Sequence, residues 1–222
     1  MSFIKKVQEN ISKKKSFLCV GLDSDMNRIP ENFKKYDNPI LEFNQWIIEQ
    51  TEDYAVCYKP NMAFYEAFGE LGHQALKKTC KLLNKKNIPI ILDAKRGDIG
   101  NTAKYYAKAI FEYFKADATT LAPYMGWDSI APFAAYKDHF SFILGLTSNE
   151  SAKDFEMEKM ANGKVLYQQV IDTILDWNKE SNNLGIVIGA TQEEEFDYLA
   201  KSIKDTCLLI PGIGAQGGSL DN

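Results

Sequence analysis

Seven short apolar runs constrain the fold of this chain more than any other feature of its sequence. Each run has four to six residues and lacks period-two alternation. Strands buried on both faces of a parallel sheet have this pattern, whereas half-exposed strands alternate apolar and polar residues. The sequence therefore predicts strands at Phe17–Leu22, Tyr54–Tyr58, Ile88–Leu92, Ala118–Ala122, Phe142–Leu146, Gly185–Ile188 and Cys207–Ile210.

Stretches with helical periodicity lie between these runs. We expect their apolar faces to pack in the core. The residues are Leu41, Trp46, Ile47 and Ile48; Ala75, Leu76, Leu82 and Leu83; Tyr105, Tyr106, Ala109, Ile110, Tyr113 and Phe114; and Val165, Val170, Ile174, Leu175 and Trp177. Thr191, followed by three glutamates, is typical of a helix N-terminus. Repeated strand–helix alternation predicts an α/β fold of the TIM (β/α)8 type.

The domain organisation follows from length and the absence of a linker. No Pro/Gly/Ser-rich stretch divides the 222 residues, so we predict one barrel domain over 1–222. A barrel of this type has eight strands in about 250 residues. Here the chain ends at Asn222, just after the Gly-rich segment 212–218. We therefore expect a barrel that lacks its eighth strand and helix, with an open seven-stranded sheet as the alternative.

Composition excludes several classes of protein. The formal net charge of −4 argues against a general nucleic-acid binder. The longest apolar runs are far shorter than a bilayer span, and the N-terminus has no signal-peptide core, which predicts a cytoplasmic protein without a membrane partner. Four cysteines without a CxxC pair predict free thiols, and two distant histidines make a metal site improbable.

The segment from Ile88 to Thr102 carries the strongest chemical signal. An apolar strand runs directly into Asp93, Lys95 and Asp98. Active sites of α/β barrels lie at the carboxyl ends of strands, and charges there must be paired when they are buried. An ammonium group held beside carboxylates can donate a proton within a negative field. The alternative is an ion cluster on a surface loop.

Other strand ends carry candidate groups as well. Lys59 ends the second run and would neighbour Lys95, although it could instead be a solvated lysine. Asp23 ends the first run and could accept hydrogen bonds from sugar hydroxyls or cap a following helix. The glycines after Pro211 could bind a phosphate through backbone N–H groups, or form a plain turn.

These motifs resemble one enzyme family. The block Asp93-Ala-Lys-Arg-Gly-Asp-Ile-Gly-Asn-Thr102 resembles the signature of orotidine 5′-phosphate decarboxylases. Five further blocks are similar to those of the family and occur in the same order: Cys19–Asp23, Tyr58–Asn61, Thr119–Gly126, Thr147–Asn149 and Pro211–Gly218. Of these, Thr119–Gly126 and Thr147–Asn149 resemble the bacterial branch of the family, which has longer chains.

The resemblance implies conversion of orotidine 5′-monophosphate to UMP and CO₂, the last step of pyrimidine nucleotide synthesis, without a metal or organic cofactor. It implies that Lys95 protonates C6 of the pyrimidine and that Asp93 lies beside the substrate carboxylate. Lys59 would hold Asp93 and a ribose hydroxyl. The substrate-binding residues it implies are Asp23, Asn61, Thr102, Ser148, Pro211, Gly214, Gln216 and Gly217.

The resemblance also implies a homodimer in which Asp98 and Thr102 cross the interface. The family's phosphate-binding Arg lies on an eighth strand, whereas this chain has only Arg28 and Arg96. Three alternatives stay open: a sugar-phosphate decarboxylase or lyase of the same superfamily, a Schiff-base aldolase, and an inactive nucleotide-binding remnant. The segment Glu150–Gly163 is either a lid or a solvated surface stretch.

Overall fold

The structure, a computed structural model, describes residues 1–190, 195, 199–200, 202–203 and 205–213. Seven strands alternate with helices along these residues. The helices are α1 (Phe3–Lys14), α2 (Pro39–Thr51), α3 (Ala63–Glu66), α4 (Gly69–Lys85), α5 (Gly100–Lys108), α6 (Trp127–Ala134) and α7 (Leu166–Ser181). The strands are β1 (Cys19–Gly21), β2 (Cys57–Lys59), β3 (Ile91–Arg96), β4 (Ala118–Leu121), β5 (Phe140–Leu146), β6 (Leu184–Ile188) and β7 (Leu208–Leu209). Short 3-10 turns lie at Glu31–Phe33 and Glu150–Asp154, and a π-helical turn at Ala109–Tyr113 extends α5.

The chain divides into two compact units. The first unit contains Met1–Ala94, Lys104–Thr119 and Asp138–Phe140. The second contains Lys95–Ala103, Thr120–Lys137 and Ser141–Asn222. The single domain predicted over residues 1–222 stays a prediction.

In the first unit, parallel strands bring their carboxyl ends to one edge. β1 pairs with β2 so that Gly21 lies opposite Lys59. The chain after β2 then meets β3, where Asn61 lies opposite Asp93. At the other end of these strands, Lys6 of α1 forms a 2.6 Å ion pair with Asp117. The first unit therefore places residues from three successive strand ends side by side.

In the second unit, β5 pairs with β6 and β6 with β7, both in parallel. The β5–β6 register shifts between Leu144 and Leu146, at Gly145. A Cβ at Gly145 would lie 2.6 Å from Cγ2 of Ile186, so only glycine fits this close approach. These pairings confirm the parallel sheet predicted from the apolar runs.

The bounds of all seven strands differ from the sequence prediction, and β1, β2 and β3 are the clearest cases. β1 begins at Cys19, and the side chains of Phe17 and Leu18 before it are exposed. β2 begins at Cys57 because Tyr54 still donates its N–H to Thr51, at the end of α2. β3 starts later than predicted and extends through the charged residues to Arg96, since ladder bonds continue past the apolar run.

The prediction that all helical aromatic residues pack in the core was wrong for three of them. Trp46, Tyr105 and Tyr113 are all more than 40% exposed. Trp46 lies in a surface cluster of rings with Phe33 and Phe43. Aromatic side chains satisfy helical periodicity at the edge of a buried face as well as at its centre, so periodicity alone did not separate these positions.

Two further features bear on the sequence predictions. The helix start predicted at Thr191 lies outside the described residues. Within the part of the chain that the structure describes, no helix is both long enough and apolar enough to cross a bilayer.

Candidate active site

A buried ion pair forms the centre of the site in the first unit. The Nζ atom of Lys59 lies 3.1 Å from Oδ2 of Asp93. The side chains are only 14% and 6% exposed, respectively. Burying either charge alone costs several kcal/mol, roughly, so each group requires the other. The alternative of a surface ion cluster, raised for Asp93, Lys95 and Asp98, is therefore wrong for Asp93.

The electrostatics around Lys59 keep its ammonium group charged. Burial alone lowers the pKa of Lys59, but the carboxylates of Asp93 and Asp23 and the hydrogen bond to Asp93 outweigh burial and raise the pKa above its usual value. The thiol of Cys19 contributes in the same direction. The interpretation of Lys59 as a solvated lysine is therefore also wrong.

Asn61 lies directly beyond β2, in a turn that ties β2 to β3. The N–H of Asp93 donates to the carbonyl of Pro60, and the N–H of Met62 donates to the carbonyl of Asp93. The Oδ1 atom of Asn61 accepts the N–H of Ala63, at the start of α3. One side of the Asn61 amide, its Oδ1 atom, is thus engaged locally.

Asp23 is held by a buried polar network beneath the segment that carries it. Its neighbour Ser24 donates a 2.6 Å hydrogen bond to Oδ1 of Asn44, and the hydroxyl of Tyr65 donates to the carbonyl of Leu22. Nδ2 of Asn44 also donates to Tyr65. No regular helix starts at Asp23, so its interpretation as a helix cap was wrong; α2 is capped instead by Asn38.

In the second unit, Lys95 has an unusual backbone conformation. Its φ of +44° lies in the left-handed region, which costs a non-glycine residue about 1–2 kcal/mol. Its N–H donates a 3.0 Å hydrogen bond to Oγ1 of Thr120, and its side chain is exposed. Strain of this kind is concentrated at active sites and ligand clamps.

Asp98 and Thr102 follow Lys95 on the surface of the second unit. Oδ1 of Asp98 accepts the N–H of Ile99, and Ile99 itself is 46% exposed. Thr102 is exposed on α5. The two polar residues therefore flank an exposed apolar side chain.

A second group of predicted residues converges around Gly189 in the second unit. Its N–H donates to the carbonyl of Leu146, and a Cβ at Gly189 would lie 2.6 Å from the nitrogen of Ser148. The N–H of the following Ala190 donates to the carbonyl of Pro211. Gly189 and its neighbour thus bring Ser148 and Pro211 together at the ends of β5, β6 and β7. The other predicted phosphate-binding residues, Gly214, Gln216 and Gly217, lie outside the described residues.

Sequence reasoning missed two features of the site. The carboxylate of Glu156 accepts hydrogen bonds of 2.7 Å from both the N–H and the hydroxyl of Thr147, so the segment 150–163 is anchored beside Ser148. Asn44 of α2 holds Ser24, the neighbour of Asp23, across 20 positions of the chain. Neither has a local sequence signal, although an asparagine on the apolar face of α2 is a recognisable anomaly.

The part of the chain that the structure describes contains no cluster of three or more side chains suited to a metal ion. A parallel α/β fold with a buried ammonium–carboxylate pair at its strand ends is typical of enzymes whose chemistry lies at the carboxyl edge of the sheet. The comparisons with known proteins identify the family.

This chain belongs to the orotidine 5′-phosphate decarboxylase / HUMPS family, whose model matches residues 16–221. It is 51% identical to the orotidine 5′-phosphate decarboxylase of Flavobacterium johnsoniae and 48% identical to that of Phocaeicola vulgatus. Each match covers 96% of this chain, and 78% and 79% of the relatives, respectively. The family resemblance inferred from the motifs is thereby confirmed.

Solved structures confirm the predicted fold class. The OMP decarboxylase of Leishmania donovani superposes with a TM-score of 0.85 at 37% identity. The match covers 97% of this chain and 81% of that one. The chain therefore has the α/β fold of the (β/α)8 type that these decarboxylases share.

Proposed function

We propose that this chain converts orotidine 5′-monophosphate to UMP and CO₂. The observation that carries the proposal is the buried Lys59–Asp93 pair at the start of the block that ends at Thr102. The bacterial relatives that match almost the whole chain are named for this activity, which supports the assignment. The reaction completes pyrimidine nucleotide synthesis, and the cytoplasm is the location we predict for it.

Asp93 would act on the carboxylate of the substrate. Lys59 fixes Asp93 within a buried environment, so the negative charge of Asp93 would face the substrate carboxylate with little screening by water. Such a field disfavours the bound carboxylate more than the transition state, in which that group becomes neutral CO₂. Asp93 and Lys59 would therefore favour cleavage of the bond from C6 to the carboxyl carbon.

Lys95 would supply the proton. When CO₂ leaves, the electron pair of the broken bond stays on C6, and that carbon takes a proton from the Nζ of Lys95. A fixed ammonium group stabilises the developing negative charge without reorganisation and then neutralises it. The left-handed backbone at Lys95 supports this role, because strained conformations persist where function requires them.

The remaining residues would bind the nucleotide. Asp23 and the NH₂ group of Asn61 would bind the ribose, and Ser148 would contact the pyrimidine amide. Backbone groups from Pro211 to Gly217, together with the side chain of Gln216, would bind the phosphate. Because the phosphate lies far from C6, its binding energy can orient the substrate, and removing it should lower turnover as well as affinity.

We further propose a homodimer in which Asp98 and Thr102 reach the partner's site. The exposed Ile99 between them supports an interface here. A mixture of Asp98→Ala and Lys95→Ala chains tests this directly, because a mixed dimer would contain one site with both native residues. The mixture should regain about a quarter of native activity if the arrangement is two-fold symmetric. Activity equal to the sum of the separate variants would contradict the crossing.

The second candidate function is that of a sugar-phosphate decarboxylase or lyase. The matched family is described as orotidine 5′-phosphate decarboxylase / HUMPS, so it is not restricted to orotidine 5′-phosphate decarboxylases. The discriminating experiment is CO₂ release from carboxyl-labelled orotidine 5′-monophosphate, measured after treatment with EDTA. We expect release under these conditions and none from a 3-keto sugar acid phosphate. Release from the sugar acid phosphate and none from orotidine 5′-monophosphate would establish the sugar-phosphate enzyme. In a separate experiment, borohydride trapping of a carbonyl substrate on Lys59 or Lys95 would establish an aldolase. Binding of UMP without any release would indicate an inactive remnant.

A further inference from the structure

Two thiols lie side by side beneath the Lys59–Asp93 pair. Cys19 on β1 and Cys57 on β2 are register partners in the parallel pairing of these strands. The side chain of Cys57 is also the largest single influence on the pKa of Cys19, which it lowers. Neighbouring strands are about 4.8 Å apart, which lies within the range of Cα separations that a disulfide can bridge. The fold therefore holds the two sulfur atoms close enough to bond.

Cys19 and Cys57 lie next to the Lys59–Asp93 pair of the candidate active site. Cys57 and Lys59 are two residues apart on β2, so their side chains point to the same face. Cys19 interacts electrostatically with the ammonium group of Lys59. Cys57 is buried, whereas Cys19 is partly exposed. A small oxidant would therefore reach Cys19 first.

The surroundings of Cys19 favour its reactive thiolate form. The side chain of Cys57 lowers the pKa of Cys19, and the positive charge of Lys59 lowers it further, which outweighs the opposing effects of burial and the nearby carboxylates. The other two thiols differ, because burial raises the pKa of Cys80 to about 12 and that of Cys207 to about 11. Thiolates, not thiols, attack oxidants, so reactivity should be concentrated at Cys19.

We propose that Cys19 and Cys57 form a redox modification site, which peroxides convert to a disulfide and which thereby weakens nucleotide binding. The thiolate of Cys19 attacks one peroxide oxygen and becomes a sulfenic acid, releasing one water after protonation. The sulfur of Cys57 then displaces the hydroxyl group, forming the S–S bond and releasing a second water. The two thiols lose two electrons and two protons in total, and hydrogen peroxide is reduced to two water molecules.

Formation of the Cys19–Cys57 disulfide would disturb the Lys59–Asp93 ion pair next to it. It draws the two sulfur atoms from van der Waals contact to about 2 Å, which shifts β1 against β2 directly below Lys59. It also removes the negative charge that Cys19 places near the ammonium group of Lys59 whenever its thiol is ionised. The nucleotide-binding part of the inference depends on the proposed function, whereas the thiol chemistry does not.

The test counts thiols in the reduced chain before and after treatment with hydrogen peroxide. Alkylation with iodoacetamide in denaturant should label all four cysteines before treatment and only Cys80 and Cys207 afterwards. Peptide mapping should show Cys19 joined to Cys57, and dithiothreitol should restore four labels. Cys207→Ser is the matched control and should form the same disulfide, whereas Cys57→Ser should not. Labelling of all four after treatment, or a disulfide to Cys80 or Cys207, would overturn the site.

Affinity for UMP provides the second measurement. Calorimetry should show that the oxidised chain binds UMP several-fold more weakly than the reduced chain, with recovery after dithiothreitol. Equal affinity of a verified disulfide form would overturn the effect on binding. Failure of the reduced chain to bind UMP would instead contradict the proposed function, while the thiol count would stand by itself.

Discussion

Replacing Asn44 by alanine should destabilise the protein strongly, because this side chain is the centre of a buried polar network. Asn44 is completely buried in α2. It accepts a hydrogen bond from Ser24 at 2.6 Å and donates to Tyr65 and Thr79, both at 3.0 Å. Alanine would remove all three bonds at once and leave three hydroxyl groups without their partner in a place that water does not reach.

The magnitude follows from those bonds. Each buried hydrogen bond contributes about 1 kcal/mol net, so Asn44→Ala should lower the free energy of unfolding by about 3 kcal/mol. The hydroxyl of Tyr65 keeps its bond to the carbonyl of Leu22, which limits the loss to the lower part of the range for unsatisfied groups. Because domains are stable by only about 5–15 kcal/mol, the effect should be plain in a urea titration.

The assay is urea unfolding of native and variant chains at one fixed protein concentration, followed by circular dichroism. Asn84→Ala is the matched control, because Asn84 is exposed on α4 and bonds only to backbone carbonyls. It should change the free energy of unfolding by less than about 1 kcal/mol. An Asn44→Ala loss no larger than that of Asn84→Ala would refute the network as the support of the segment that carries Asp23.

Three further predictions concern other parts of the structure. Gly189→Ala should cost about 1–3 kcal/mol of stability and raise the KM for the substrate, because its Cβ would meet the backbone of Ser148. Burial lowers the pKa of His139, so on acidification the unfolded chain binds a proton before the folded chain does. The free energy of unfolding should therefore fall as the pH drops below about 6.5. His139→Asn should flatten this part of the plot of unfolding free energy, measured with urea, against pH. Lys59→Met should cost about 3–5 kcal/mol at pH 7, because it leaves the charge of Asp93 buried without its partner.

Each of these predictions has a control that separates it from a general effect. A Cβ at Gly21 would meet nothing nearer than 3.9 Å, so Gly21→Ala should be mild. The native chain is the control for His139→Asn, because only its profile should show the full acid slope. Lys164→Met, in an exposed ion pair, should cost at most about 0.5 kcal/mol. The double variant Lys59→Met/Asp93→Leu should regain stability but not activity. A double variant as unstable as Lys59→Met alone would contradict the buried-charge explanation.

The parts of the fold that sequence predicted are those with local signals. Seven apolar runs corresponded to seven strands because burial on both faces leaves a continuous pattern in the chain. The residues of the Asp93–Thr102 block were recognisable because their chemistry is contiguous in sequence. The ion pair between Lys59 and Asp93 was implied by the family resemblance, and strand position had indicated only that Lys59 lies near the charged block.

The parts that the sequence did not predict depend on contacts between residues far apart in the chain or on unusual backbone conformations. Lys6 pairs with Asp117 across 111 positions, and no local pattern records such a partner. The left-handed conformation of Lys95 is invisible to propensity, because lysine normally avoids it. The π-helical turn at Ala109–Tyr113 has the periodicity of an ordinary α-helix.

The most direct test of the account is a single-turnover measurement of labelled CO₂ release from orotidine 5′-monophosphate, with the chain in excess over substrate. Lys95→Ala should lower the rate by about 10²–10⁴-fold, because the proton for C6 is lost, while the affinity for UMP stays measurable. Lys104→Ala, at an exposed lysine on α5, should release CO₂ at the native rate. Equal rates for Lys95→Ala and Lys104→Ala would contradict the central claim that Lys95 is the proton donor.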